Sequence, residues 1–354
     1  MAYIGVIEGF YGKQFKDEVR YTLLDALKAM GGSFYIYAPK EERALRQDLM
    51  RGVMGEKKLL RLEALKQKCA DVGLDFGLAL SPYNLTVSYD SIKDKFLAIV
   101  RTYATRLQPE IFCLLFDDQT LEGCDSATVQ NCIVKDVCDL LPDSVKRFII
   151  CPTYYTFDPL LDKLFGKRPD DYFKKLCVGL PERVEIFWTG NKVVSPAIST
   201  ADLEAATEVL GRKPFIWDNY PVNDGKNISQ FLFLKPFGPR RNLEHVSSGH
   251  AINPMLQGVL NIHIWQTLFA QYQGLDDTAI QERLTQDLTA QLGAGAYVLI
   301  EQLHLLTDKG LNNLNALQKA MLIAACELEP KNAALNEIKA FLQGKYAFDP
   351  ACLT

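Results

Sequence analysis

The chain has 354 residues, of which 48% are hydrophobic and 23% are charged, and its formal net charge is −4. This composition is typical of a globular enzyme and excludes a disordered or fibrous chain. The small negative charge also argues against nucleic acid or an anionic membrane as the main partner.

The first residues and the cysteines bear on location. The N-terminus, MAYIGVIEGFYG, has no basic segment before an apolar one, so it predicts no signal peptide, and no apolar run is long enough to cross a bilayer. The nine cysteines are an odd number at scattered positions, and Cys113 and Cys151 fall inside apolar runs. We therefore expect reduced thiols and a cytoplasmic location, not a disulfide framework.

Strand-like runs alternate with helix-like segments through most of the chain. Strands are predicted at 3–7, 34–38, 76–80, 111–119, 147–151, 184–188, 214–217 and 250–252. Helices are predicted at 16–30, 57–72, 91–107, 127–141, 170–176, 200–210 and 255–270. Eight strands that alternate with helices predict an α/β fold, a (β/α)8 TIM barrel. An open, doubly wound sheet is the alternative, although no G-x-G-x-x-G sequence follows the first strand.

The alternation stops after residue 272. Helical periodicity continues at 278–292, 296–307, 312–328 and 332–343, with no side chains that suggest chemistry. The sequence therefore predicts a (β/α)8 catalytic domain over 1–272 and a small all-helical C-terminal domain over 273–354 that packs against the barrel.

The fourth predicted strand ends in two adjacent aspartates. The apolar run IFCLLF, typical of a strand buried on both faces, leads directly into Asp117 and Asp118. Because unpaired buried charge is costly, both carboxylates must lie where the strand opens to water or to a cavity. They form either a solvated turn or a catalytic pair, since catalytic side chains gather at the C-terminal strand ends of such barrels.

Polar and aromatic residues also follow the other predicted strands. In a barrel they would meet around one pocket, and they are Gly9, Tyr11, Lys40, Tyr83, Asn84, Tyr155, Trp188, Trp217, Asn219, Asp224 and Asn253. Acids and amides bind hydroxyl groups and aromatic faces stack on sugar rings, so this set suits a neutral polyhydroxylated ligand. Either tryptophan could instead fill the core. No cysteine or histidine spacing suggests a metal, and no cofactor is predicted.

Several segments, in this order, resemble glycoside hydrolase family 84, which contains the O-GlcNAcases and bacterial β-N-acetylglucosaminidases: GVIEGFYG, YIYAPK, LLFDD, CPTYY, FWTGNKVVS, IWDNYPVND and INP. The resemblance implies hydrolysis of β-linked GlcNAc from a glycoconjugate or glycoprotein. It implies a catalytic pair at Asp117 and Asp118. The residues for which it implies binding of sugar hydroxyls or the acetamide are Gly9, Lys40, Asn219, Asp224 and Asn253.

The same resemblance implies that Tyr155 binds near the acetamido oxygen and that Trp217 forms a wall of the acetyl pocket. We add Tyr11, two residues after Gly9 at the first strand end, to the substrate-binding candidates.

Adjacency of the two aspartates restricts the mechanism. A retaining glycosidase normally holds its carboxylates about 5–5.5 Å apart across the sugar, and an inverting one about 6.5–9.5 Å. Neighbours at one strand end cannot easily straddle a ring, so the pair fits substrate assistance, in which the 2-acetamido oxygen attacks and an oxazoline forms. Asp117 would then accept the acetamide N–H, and Asp118 would protonate the leaving oxygen. Because neighbouring carboxylates resist joint ionisation, one pKa should rise and the other stay low.

Two other functions are considered. A sugar-binding barrel without catalysis leaves the aspartate pair unexplained. A lyase with Lys40 as its Schiff base needs that lysine in a dry pocket, whereas predicted hydroxyl-binding residues surround it.

Overall fold

Eight parallel strands form a closed barrel in the part of the chain that the computed structural model describes, residues 2–83, 85–118, 125–346, 348–350 and 352. The strands are β1 Ile4–Glu8, β2 Phe34–Tyr37, β3 Asp75–Leu80, β4 Ile111–Leu115, β5 Arg147–Cys151, β6 Val184–Trp188, β7 Phe215–Asp218 and β8 Gly249–Ile252. Each strand pairs with the next, and β8 closes the ring on β1. The predicted TIM barrel is confirmed, and the open sheet is excluded.

Helices surround this barrel. They are α1 Asp17–Ala29, α2 Glu56–Val72, α3 Leu85–Leu107, α4 Ser126–Leu140, α5 Pro159–Phe165, α6 Tyr172–Cys177, α7 Thr200–Leu210 and α8 Gly258–Tyr272. Two differ from the prediction, because α3 begins at Leu85 and α5 was not predicted. Helix α5 starts at a proline, and the Asp158 side chain accepts a hydrogen bond from the Leu160 amide, a local signal for a helix start. Among the described helices, none combines the length and apolarity that a membrane span requires.

Aromatic side chains fill the end of the barrel at which the strands begin. Phe34 of β2 and Phe215 of β7 meet with ring centroids 5.7 Å apart. Their neighbours on the adjoining strands are Gly5 and Gly249, where a Cβ atom would lie 2.6 Å and 2.4 Å from atoms of the two phenyl rings. The glycines therefore make room for large residues, and the barrel interior is a packed core and not a channel.

The last helices are α9 Asp277–Leu292, α10 Ala296–Glu301, α11 Ala316–Cys326 and α12 Ala333–Leu342. Helices α9 and α12 pack on α8, and their buried apolar residues join the core of the barrel. Glu337 of α12 accepts hydrogen bonds from the backbone amides of Val259 (3.0 Å) and Leu260 (3.1 Å) in the first turn of α8. It thereby satisfies amides that have no partner within their own helix.

We predict that Glu337→Ala destabilises the fold. Two amides at a largely buried helix start lose their acceptor, which typically costs about 1–3 kcal/mol. Chemical denaturation measures this loss. The matched control is Glu327→Ala, which removes a half-exposed carboxylate that pairs with Lys339 and should change stability much less. Equal unfolding midpoints for the two variants would contradict a capping role for Glu337.

Candidate active site

The strand-end residues implicated by the sequence come together in one pocket. Its volume, including the open mouth, is about 510 Å³, and its lining contains Gly9, Tyr11, Lys40, Asp117, Asp118, Tyr155, Trp217, Asn219, Asp224 and Asn253. These residues lie at or just after the C-terminal ends of β1, β2, β4, β5, β7 and β8, which open to the same side of the barrel. Asp117 and Asp118 are buried, so the solvated-turn interpretation is wrong.

Two of the other strand-end residues lie elsewhere. Trp188 is fully buried outside the pocket, where it packs against Phe157 and Phe173 with ring centroids 4.8 Å and 5.6 Å away. Tyr83 is exposed and lies beside the guanidinium of Arg46, 5.7 Å from its ring centroid. Asn84 and Gln119 lie outside the described residues.

The pocket also has lining residues that the sequence did not indicate. They are Cys151, Thr189, Val193, Val194, Val222, Ile228 and Cys352. Most are apolar or small residues in loops, and such residues carry no chemical signal of their own. Part of this set stood in the segment FWTGNKVVS, which contributed to the family resemblance through its whole pattern.

Each aspartate of the pair has its own partner. The Lys40 ammonium donates to Asp117 Oδ2 at 2.5 Å in a buried ion pair. In the turn that follows β4, the backbone of Asp118 adopts a φ of 51°, in the left-handed region. The Tyr11 hydroxyl donates to Asp118 Oδ2 at 2.7 Å. The two neighbours therefore differ in environment although they are adjacent in sequence.

Burial has the largest effect on the pKa of Asp118. Burial and the neighbouring charge of Asp117 raise its pKa to about 6, against the opposing effects of Lys40, Tyr11 and Arg46. A raised pKa on one carboxyl group is expected when a second carboxylate shares its site. Burial also raises the pKa of Asp224 to about 6, although its Oδ2 accepts a hydrogen bond from the Tyr11 amide at 2.8 Å.

Three buried oxygen atoms of the pocket have no hydrogen-bond partner among the described residues: Asp117 Oδ1, Asp118 Oδ1 and Asn253 Oδ1. Buried acceptors are rarely left unpaired, because each costs desolvation free energy. Their position in one pocket indicates a ligand that donates several hydrogen bonds. In the described part of the chain, no group of three or more His, Cys, Asp or Glu side chains is arranged to hold a metal ion.

An amide network fixes the aromatic wall. Asn219 Oδ1 accepts from Trp217 Nε1 at 2.8 Å and from Asn253 Nδ2 at 2.9 Å. The Asn219 amide nitrogen donates to the Val193 carbonyl at 2.9 Å. Three loops are thereby tied together by one side chain. Burial raises the pKa of the Tyr155 phenol, which therefore remains a neutral hydroxyl in the pocket.

Comparison with known proteins places the chain in a class of enzymes. A family model for beta-N-acetylglucosaminidase matches residues 4–294, so the chain belongs to this family of glycoside hydrolases, and the family resemblance is confirmed. Protein O-GlcNAcase of Rattus norvegicus is 29% identical over 270 residues, and the match covers 72% of this chain and 27% of the relative. The Mus musculus protein is 28% identical over the same length, and the chain spans about a quarter of both.

A solved structure supports the fold. A mutant O-GlcNAc hydrolase of Thermobaculum terrenum superposes with a TM-score of 0.75 at 22% identity, covering 97% of this chain and 81% of the other. At this identity the likeness concerns the architecture alone.

We predict that Gly9→Ala displaces Trp217. An added Cβ would lie 2.5 Å from Trp217 Cζ2 and 2.8 Å from Cη2, so the indole must move, at a cost of about 1–3 kcal/mol in the free energy of unfolding. Chemical denaturation and near-ultraviolet circular dichroism measure the change. Trp217→Phe removes the clashing ring atoms, so in that background Gly9→Ala should cost less. Additive losses would refute the clash.

Proposed function

We propose that this protein is a retaining β-N-acetylglucosaminidase that removes terminal β-linked GlcNAc from a glycoconjugate or glycoprotein by substrate assistance. The observation that carries the proposal is the unequal environment of two adjacent carboxylates. Asp117 is ion-paired with Lys40, whereas Asp118 has a pKa raised to about 6. One group is suited to hold a negative charge and the other to hold a transferable proton.

Asp117 is assigned to orienting and activating the nucleophile, which is the acetamide oxygen of the substrate. Its Oδ1 atom has no partner among the described residues, so it is available to accept the N–H of the 2-acetamido group. This contact would orient the acetamide oxygen beneath the anomeric carbon and increase its nucleophilicity. Negative charge at Asp117, stabilised by the Lys40 ammonium, would then balance the positive charge that develops on the oxazoline-like intermediate.

Asp118 is assigned to proton transfer. A carboxyl group with a pKa near 6 is protonated in a useful fraction of molecules close to neutral pH and becomes a good base once deprotonated. It would protonate the leaving oxygen in the first step and then deprotonate the water that opens the intermediate. The attack from the acetamide and the later attack of water each invert the anomeric carbon, so the configuration is retained.

The remaining lining residues suit the sugar. Asp224 and Asn253 offer oxygen acceptors for hydroxyl groups, and Trp217 and Tyr155 provide an aromatic wall for the acetyl group.

The two alternative functions, a Schiff-base lyase and a sugar-binding barrel without catalysis, fit this site less well. A Schiff-base lyase needs a free amine at Lys40, whose Nζ atom is held by Asp117. A sugar-binding barrel gives no reason for the unequal carboxylates.

We also propose a cytoplasmic location. Cys69, Cys113 and Cys151 are buried thiols, as is usual for proteins of a reducing compartment.

The reaction itself is the first test of this function. Purified protein should release 4-nitrophenol from 4-nitrophenyl β-N-acetylglucosaminide with EDTA present, because no proposed step uses a metal. The matching β-glucoside lacks the acetamide nucleophile, so its turnover should be slower by about a thousandfold or more. A thiazoline mimic of the intermediate should bind more tightly than substrate. Equal turnover of the two glycosides, with no thiazoline inhibition, would exclude substrate assistance.

The roles of the two aspartates can be distinguished by comparing variants on substrates with poor and good leaving groups. Asp118→Asn should lower kcat/KM by about 10²–10⁴-fold for alkyl glycosides, which need protonation, and far less for glycosyl fluoride. Asp117→Asn should slow both substrates, because nucleophile formation is impaired. Since the acid form of Asp118 is the active one, wild-type kcat/KM should fall as the pH rises through about 6. Equal losses for both variants on both substrates would contradict these assignments.

A further inference from the structure

We propose that Arg46 is a positioning residue that acts through Tyr11 to keep the transferable proton of Asp118 on its Oδ1 atom. This inference rests on the proposed function of Asp118 as the general acid. Neither composition nor family resemblance pointed to Arg46, which lies in the loop after β2 and is 5% exposed.

Arg46 is a buried cation without a buried counter-ion. Among the described residues, no carboxylate lies within ion-pair distance of its guanidinium, although the other buried arginines Arg20 and Arg240 each bind one. Arg46 instead donates from Nη2 to the Tyr11 hydroxyl at 2.8 Å, and its guanidinium carbon lies 5.0 Å from the Tyr11 ring centroid. A buried charge is costly, and although the charge of Arg46 also acts on Glu41, its hydrogen bond to a neutral phenol requires a reason.

The reason lies in the direction of the Tyr11 hydrogen bond. A guanidinium can only donate, so it occupies an acceptor position on the phenol oxygen. The single phenolic hydrogen is then directed to Asp118 Oδ2, 2.7 Å away. The backbone amide of Tyr11 donates to Asp224 Oδ2 at 2.8 Å, which holds the residue at a second point. Tyr11 is thus fixed as a hydrogen-bond donor toward Asp118.

A donor at Oδ2 decides where the acid carries its proton. A proton on that oxygen would oppose the phenolic hydrogen, so the proton is held on Oδ1, which has no partner among the described residues. In the reaction the Oδ1–H bond breaks, and its electron pair stays on Asp118. A new O–H bond forms on the leaving oxygen, which keeps the electron pair of the broken glycosidic bond. The resulting carboxylate is stabilised by Tyr11 and Arg46.

Other groups near Asp118 set the background for this effect. The charged or titratable side chains that face it are Asp117, Lys40, Tyr11, Arg46, Asp224, Tyr155 and Cys151. Of these, Tyr11 donates a hydrogen bond to Asp118, and Arg46 donates one to Tyr11. Together with Lys40 they lower the Asp118 pKa, in opposition to burial.

The test is a double-mutant cycle of Arg46→Met and Tyr11→Phe, read by leaving group and by pH. We expect each single variant to lose about 10- to 100-fold in kcat/KM on alkyl N-acetylglucosaminides, part of what a general acid contributes, and much less on the glycosyl fluoride. The alkaline limb of kcat/KM should move to higher pH, because the carboxylate loses stabilisation. Arg46→Met should add little in the Tyr11→Phe background. The matched control is Arg51→Met, in the same loop with an 80% exposed side chain, which should leave every readout unchanged.

The outcomes separate this inference from the proposed function. Additive losses, an unmoved alkaline limb, or equal losses on alkyl and fluoride substrates would overturn the role of Arg46 while the proposed function stands. Absence of N-acetylglucosaminidase activity in the wild type would overturn both. If Arg46→Met does not fold, Arg46→Gln takes its place in the cycle, because it keeps a polar side chain but removes the charge and must show the same pH shift, the same leaving-group dependence and the same lack of effect in the Tyr11→Phe background.

Discussion

The whole arrangement depends on the cost of burying two adjacent carboxylates at the end of β4. Neither can be left unpaired away from water, and they cannot share one counter-ion without losing their difference. The chain gives Asp117 the ammonium of Lys40 and gives Asp118 the phenol of Tyr11. The backbone of Asp118 is left-handed, in the turn that follows β4. The two carboxylates after β4 therefore need partners from the loops after β1 and β2. Closure of the barrel brings those partners next to them.

Further buried charges lie behind the pocket and not in its lining. Arg20 binds both oxygens of Glu8, at the end of β1, and Arg240 binds both oxygens of Asp218, at the end of β7. Arg240 also donates to the Ser195 carbonyl, which ties the loop after β6 to β7. Buried ion pairs contribute little net stability, but paired contacts of this kind restrict geometry. They hold the strand ends that carry the pocket glycine, the tryptophan and its asparagine.

The sequence predicted the barrel well because its strands are apolar runs bounded by turns, and this pattern depends only on local burial. Most of the polar lining residues were also predictable, since position after a strand decides which end of the barrel a residue occupies, whereas the apolar lining residues from the loops were not. Side-chain direction was not predictable in the same way. Trp188 and Trp217 both stand at strand ends, yet one packs under the helices and the other lines the pocket. Arg46 and Val193 act from loops, where no periodicity marks them.

A nucleophile supplied by the substrate explains why both carboxylates can stand on one strand end. A glycosidase that provides its own nucleophile must place carboxylates on opposite faces of the sugar. In the proposed mechanism the face beneath the anomeric carbon is occupied by the acetamide, so the chain can line that side with Trp217 and apolar residues such as Val222. Binding of the acetamide and its activation then use the same contacts, and selectivity for the sugar becomes part of the chemistry.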